Sequence, residues 1–255
     1  MPNQCKAVLT MGNLYLYAIV DRTEHALPTQ AGLGEAALLG VPTGKLLAVV
    51  SPIEAGQVAL TKANLLRHEA VIEAFMDERG VLPARFGTIG SPQRLLEALT
   101  RHEATLMQSL ERVRGRVELA LRVLDPTRLA EPPIVRPRAA EVANGRGYMQ
   151  ALLVAEQAAS RQRAATEALV EQITAVLTPL ADAVVQARSD RPQQLLKLAY
   201  LLPRERIAAM RERIASLQAA HPTLAFLATG PWPAYSFAEV EPGPSLFERT
   251  GESLP

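Results

Sequence analysis

From Tyr148 to Leu180, the positions 152, 155, 159, 162, 166, 169, 173, 176 and 180 step by three and four. That spacing keeps one stripe on one side of an α-helix. Leu152, Ala155, Ala159, Leu169, Ile173, Val176 and Leu180 are apolar or small, whereas Gln162 and Thr166 interrupt the seam. A helix of this length, with a bend expected at Pro179, cannot bury its own stripe and requires a partner. Its alanines let a second helix come close. The nearest candidate follows Pro203-Arg204-Glu205, with Ile207, Met210, Ile214 and Leu217 on one side. Leu195 to Leu202 and Thr223 to Ala228 read as strands. Residues 139–238 are therefore predicted as a helix-rich α+β unit.

The first half has a different grain. Leu14-Tyr15-Leu16-Tyr17-Ala18-Ile19-Val20 and Leu46 to Ile53 are short runs rich in β-branched or aromatic residues, and both read as strands. Leu33 to Val41 is a weaker edge-strand candidate. Leu65, His68, Ile72 and Phe75 recur at helical spacing between Thr61 and Arg79, with Gly80 as a C-terminal cap. Leu82, Ala84, Phe86 and Thr88 alternate as a strand. Ser91-Pro92 then opens one helix carrying Leu95, Leu99, His102, Leu106 and Leu110 and ending near Gly115. Val117, Leu119, Leu121 and Val123 alternate again. This order predicts a ferredoxin-like sheet with two helices on one face over residues 12–126. Pro132-Pro133 and Pro137 stop helix and ladder alike, so 127–138 is predicted as a linker. Residues 239–255, with four acids and one arginine, are predicted as a solvated acidic tail.

Composition excludes several classes of function. Apolar residues make up 48% of the chain, enough for a substantial core. The 27 basic and 26 acidic side chains nearly cancel, which gives no reason to expect a polyanionic partner or an anionic membrane surface. Cys5 is the only cysteine, so an intrachain disulfide and a cysteine-based zinc cluster are ruled out. No apolar run reaches spanning length, and Met1 to Thr10 lacks the pattern of a secretory signal, so a cytoplasmic protein is expected.

No residue pattern assembles a catalytic centre. The chain has no Gly-rich phosphate loop, no Gly-x-Ser-x-Gly elbow and no His-Glu-x-x-His pair. His68 and His102 sit on apolar helix faces and read as core or half-buried histidines with one satisfied nitrogen. No catalytic residue, cofactor site or metal site is predicted. Arg85 and Glu118 point away from their strands' apolar faces and would form an ion pair on an open sheet face, near Tyr15 and Tyr17. Such a face raises nucleic-acid binding as an alternative. Arg85-Phe86-Gly87 carries only fragments of an RNA-recognition signature, though ten arginines against five acids lie between Arg112 and Arg163. Gly230-Pro231-Trp232-Pro233-Ala234-Tyr235-Ser236-Phe237 holds the only tryptophan in a proline-stiffened segment. It suits a packed lid or a binding anchor, with the lid favoured.

In order, Leu14 to Val20, Leu47-Ala48-Val49-Val50-Ser51, Asn64-Leu65 with His68-Glu69-Ala70-Val71-Ile72, and Val81-Leu82-Pro83-Ala84-Arg85-Phe86-Gly87-Thr88 resemble the gas vesicle F/L family. Val117-Glu118-Leu119, Gly145-Arg146-Gly147-Tyr148 and Gly230-Pro231-Trp232-Pro233 with Tyr235-Ser236-Phe237 continue the match. Ala234 departs from it, standing where the family typically has a second proline. The resemblance implies a ferredoxin-like domain followed by an α+β domain with a long helix, and a non-enzymatic accessory role in gas vesicle assembly. It also implies contact with the hydrophobic main shell protein and with other accessory gas vesicle proteins. Arg85, Phe86, Glu118, Trp232 and Tyr235 are the candidate partner-binding residues.

Overall fold

The computed structural model describes residues 12–22, 27–54, 56–76, 80–129, 145–187 and 193–238. The architecture is the expected α+β, with two antiparallel sheets and a long helix. Contacts divide the chain into one unit of Met1–Glu118 with Pro231–Pro255 and another of Leu119–Gly230. That division differs from the expected boundary after 126. The segment after Gly230 returns to the first unit, and the strand before 126 belongs mostly to the second. Of the expected linker, Pro126–Leu129 is a short 3-10 turn; the rest of it, and the tail from 239, lie outside the described residues.

In the first unit, β1 (Asn13–Asp21) pairs with β3 (Leu46–Ile53), which forms a hairpin with β2 (Leu39–Thr43). Its turn uses Gly44 at φ +54°, and the Glu103 carboxylate accepts the next N–H, that of Lys45, at 2.8 Å. The other edge of β1 takes two short pieces, β4 (Leu82–Pro83) and β5 (Ile89–Gly90). The single strand expected over 82–88 is thus interrupted. Ala84 N–H reaches Tyr17 O and Leu16 N–H reaches Thr88 O, while the residues between them turn outward with Gly87 at φ +84°.

Helix α1 (Lys62–Glu73) is capped by Thr61, whose hydroxyl accepts Asn64 N–H at 3.2 Å. As expected, Ser91 caps and Pro92 opens the next helix, but the run to 113 is two helices. They are α2 (Pro92–Arg101) and α3 (Glu103–Val113), separated at His102, where φ is −108° and ψ is 13°. The apolar seam of Leu95, Leu99, Leu106 and Leu110 stays buried across the break, and His102 is half-buried, within the expected range.

Every β1 position from Leu14 onward is buried. Tyr15, Tyr17, Ala18 and Val20 share one cluster with Val71, Ile72 and Phe75, so the α1 side covers that face. Leu14, Leu16 and Ile19 are buried facing the other way, and α3, whose Leu106 and Leu110 lie outside that cluster, runs beside β1. Both faces of β1 are therefore covered, where one open face was expected. The nucleic-acid alternative needed Tyr15 and Tyr17 free to stack on bases. Both are fully buried, and that reading falls.

The second unit is built on β6 (Arg116–Leu124), β7 (Ala183–Gln186), β8 (Gln194–Pro203) and β9 (Ala225–Trp232), in the order β7-β8-β6-β9. The alternation read at 117–123 identified a strand correctly but not its neighbours, which are β8 and β9. Leu119, Leu121 and Val123 of β6 meet Leu196, Leu198, Tyr200 and Leu202 of β8. Over them lie α4 (Gly145–Leu177) and α5 (Ile207–Ala220), which contribute Ile173 and Leu177, and Met210, Ile214 and Leu217. Pro179 ends α4 in a 3-10 turn, Thr178–Leu180. The polar interruption of the seam is satisfied: Thr166 accepts a hydrogen bond from Arg128 and donates to Gln162 O at 2.8 Å. Before that break, Met149, Leu153 and Val154 are exposed.

Candidate functional site

Helix α1 organises the first unit because it is apolar on two sides. Its inner face carries His68, Val71 and Ile72, all buried. His68 is 1% exposed, and both of its nitrogens are engaged. Nε2 lies 3.1 Å from Ala84 O, a carbonyl that can only accept, so Nε2 carries the proton. Nδ1 therefore accepts from the Tyr15 hydroxyl at 3.0 Å, and that hydroxyl in turn accepts Gly87 N–H at 3.1 Å. Burial holds the imidazole neutral, lowering its pKa to about 4, with the Ala84 hydrogen bond opposing part of the shift. The expectation of a core histidine is met, with both nitrogens satisfied. The pair of side chains staples the loop between β4 and β5 onto the core. That loop holds Arg85, which is exposed, and Phe86, whose ring packs 5.6 Å from His68 and 6.2 Å from Tyr15.

The outer face of α1 forms one wall of a groove of about 430 Å³. Leu65, Leu66, Glu69, Ala70 and Glu73 line it on the helix side, and Glu118, Trp232 and Tyr235 line it opposite. Leu65 and Leu66 are 39% and 58% exposed, and Trp232 is 38% exposed, unusual for side chains of that size. The opposite wall is anchored from below. Phe237 and Ala234 are buried, Arg112 donates to Phe237 O at 2.5 Å, and Phe237 N–H closes a turn on Ala234 O. Glu118 Oε2 accepts Ser236 N–H at 2.7 Å, and Oε1 accepts the Ser236 hydroxyl at 2.8 Å.

Charge in the groove has one sign. Glu69, Glu73 and Glu118 contribute carboxylates, and no Lys, Arg or His is among the described residues that line it. Burial raises the pKa of Glu118, the two Ser236 hydrogen bonds pulling it partly back. Burial, and then the neighbouring Glu73, raises that of Glu69. The Tyr235 phenol is pushed up chiefly by burial, with the same carboxylates adding to it.

Of the candidates read from the sequence, the structure brings Glu118, Trp232 and Tyr235 together in this groove. Arg85 and Phe86 sit instead in the loop held by His68. The expected partnership of Arg85 with Glu118 is replaced by that of Glu118 with Ser236, because the returning segment 231–238 packs onto the unit exactly where β6 begins. Of the lid and the anchor considered for Trp232 to Phe237, the buried Phe237 and Ala234 are packed as a lid would be, and Trp232 is on the surface. Leu65 was read as core and faces the groove. Leu66, Glu69, Ala70 and Glu73 are not among the site residues read from the sequence, although Leu66 and Ala70 form a second apolar pair, four apart, off the Leu65–Phe75 seam.

The groove leaves two leucines and a tryptophan partly in water, beside the hydrogen-bonded His68 and Glu118. Among the described residues, no group of three or more His, Cys, Asp and Glu could hold a metal ion. None of the described helices is long and apolar enough to cross a membrane. Residues 13–239 match the model of the gas vesicle synthesis protein GvpL/GvpF family, and the chain belongs to that family. It is 25% identical over 248 residues to gas vesicle protein F2 of Halobacterium salinarum, covering 95% of this chain and all of that one. It is 29% identical over 254 residues to gas vesicle protein L of a Streptomyces species, covering 89% and 92% of the two chains. The fold is that of the crystal structure of the gas vesicle protein GvpF from Anabaena sp. PCC7120, with a TM-score of 0.73 at 19% identity over 89% of this chain and 96% of that one. The GvpF structure from Microcystis aeruginosa gives 0.70 at 16% identity over 89% and 99%.

Proposed function

We propose that this chain is a non-enzymatic accessory protein of gas vesicle assembly, acting in the cytoplasm at the growing vesicle. It docks the small hydrophobic main shell protein there, together with other accessory gas vesicle proteins. The observation that carries the reading is the groove, where Leu65, Leu66 and Trp232 leave apolar surface in water. An unassembled hydrophobic subunit exposes apolar surface of its own, and covering both surfaces at once is favourable by roughly 25 cal/mol per Å² removed from water. Tryptophan and tyrosine, both present in the groove wall, are among the residues enriched at interface hot spots.

The test is genetic. Deleting the gene should leave cells without normal vesicles, and the wild-type gene should restore them. Leu66→Glu, on an exposed helix position, should accumulate to the wild-type level yet restore few vesicles. Vesicles of ordinary number and shape in the clean deletion would contradict the proposed role.

A further inference from the structure

Resting on the docking role just proposed, we infer that the groove beside α1 accepts an amphipathic helix whose apolar stripe is flanked by lysine or arginine. Three observations lead there. First, the wall from Leu65 to Glu73 is one side of a helix, about 12 Å long at 1.5 Å per residue. Its backbone groups are consumed inside α1, so it presents side chains and no row of free N–H and C=O groups. An occupant lying on that helical wall must satisfy its own backbone, which a helix does and an extended segment laid on α1 would not.

Second, the lining alternates in chemistry along that wall. Leu65 and Leu66 are followed by Glu69, Ala70 and Glu73, and the facing wall offers Trp232 and Tyr235 beside Glu118. A helix laid along it would place leucine-sized side chains against Leu65, Leu66 and the Trp232 ring, and its next polar position within reach of the carboxylates. Third, the carboxylates sit in a partly desolvated groove with no cation among its described lining residues. Burial disfavours the charged forms of Glu69 and Glu118, and a lysine or arginine arriving with the occupant would offset that cost. A guanidinium could also lie against the Trp232 ring. An anionic occupant meets three like charges, which is how such a groove rejects it.

Trp232 is the only tryptophan, so its emission reports on the groove alone. The probes are two 14-residue helical peptides without tryptophan, one with leucines and lysines at helical spacing and one with glutamate replacing each lysine. Added to the full chain, the lysine peptide should shift the emission to shorter wavelength and saturate. Its Kd should weaken about tenfold for Glu69→Gln combined with Glu73→Gln, about 1.4 kcal/mol, and should weaken with added salt. The glutamate peptide should leave the emission unchanged.

Equal binding of the two peptides would overturn the charge selection. Silence with both would overturn docking in this groove. An emission shift that depends on the chain's own concentration, with no peptide present, would assign the groove to a second copy and overturn the inference. The assembly role fails separately, through normal vesicles in the deletion strain, so the two failures are distinguishable.

Discussion

Replacing His68 with alanine is expected to cost about 3–5 kcal/mol at pH 7.5, among the largest effects of any single substitution here. The change removes a ring packed against Tyr15, Tyr17 and Phe86, and it leaves the Tyr15 hydroxyl and the Ala84 carbonyl without their partner. The cost should depend on pH in a definite direction. The native imidazole has its pKa lowered to about 4 from 6.5, so between those values the unfolded chain binds a proton that the native state refuses. Stability from this group is complete above pH 6.5 and falls as the pH drops towards 4, by about 3 kcal/mol across the window. Glu69 and Glu118 have raised native pKa values, so their contribution runs the other way, favouring the folded state as the pH falls. Their effect cancels when wild type and variant are compared at each pH. Urea unfolding at pH 7.5 and 4.5 should therefore show the gap between the two shrinking by about 2–3 kcal/mol. A gap constant with pH would mean that His68 is not held neutral.

Gly32→Ala is the second large effect, expected at about 2–4 kcal/mol from overpacking. A Cβ at position 32 would lie 2.4 Å from the Tyr17 hydroxyl oxygen and 3.1 Å from Tyr17 Cζ. The tyrosine cannot retreat. It is fully buried, its hydroxyl shares a hydrogen bond with the Ser51 hydroxyl at 2.9 Å, and it accepts Leu33 N–H at 2.7 Å. Tyr17→Phe alone should cost about 1–2 kcal/mol, because the Ser51 hydroxyl and the Leu33 amide lose their partner. The double variant should be more stable than the sum of the two single losses, since deleting the hydroxyl opens room for the methyl group. Strict additivity in the denaturation midpoints would show that position 32 and Tyr17 do not collide.

Much of the fold was legible because burial imposes a period. The run from Leu14 to Val20 is a strand, and α4 follows the three-and-four spacing down to the proline that ends it. What failed to show was governed by residues far away in sequence. Leu82, Ala84, Phe86 and Thr88 alternate as a strand should, yet Tyr15 and His68 claim the backbone of Gly87 and Ala84 and pull the middle of that strand into a loop. Val117 to Val123 announces a strand, but alternation says nothing about which sheet it joins. Glu118 looked solvated because it opposes an apolar face; the segment returning 118 residues later covers it. The groove was half legible. The proline-fixed tryptophan stood out as an anchor, and its opposite wall was present in Leu66 and Ala70. A search for one helix face passes over the second.

Hydrogen–deuterium exchange of the full chain, with and without purified main shell protein, tests the docking surface most directly. If the groove is where the shell protein sits, added protection should fall on α1 and on 231–237, since an occupant lying on them slows the opening of both walls. Protection confined to the second unit, with these two segments exchanging as they do in the free chain, would contradict it.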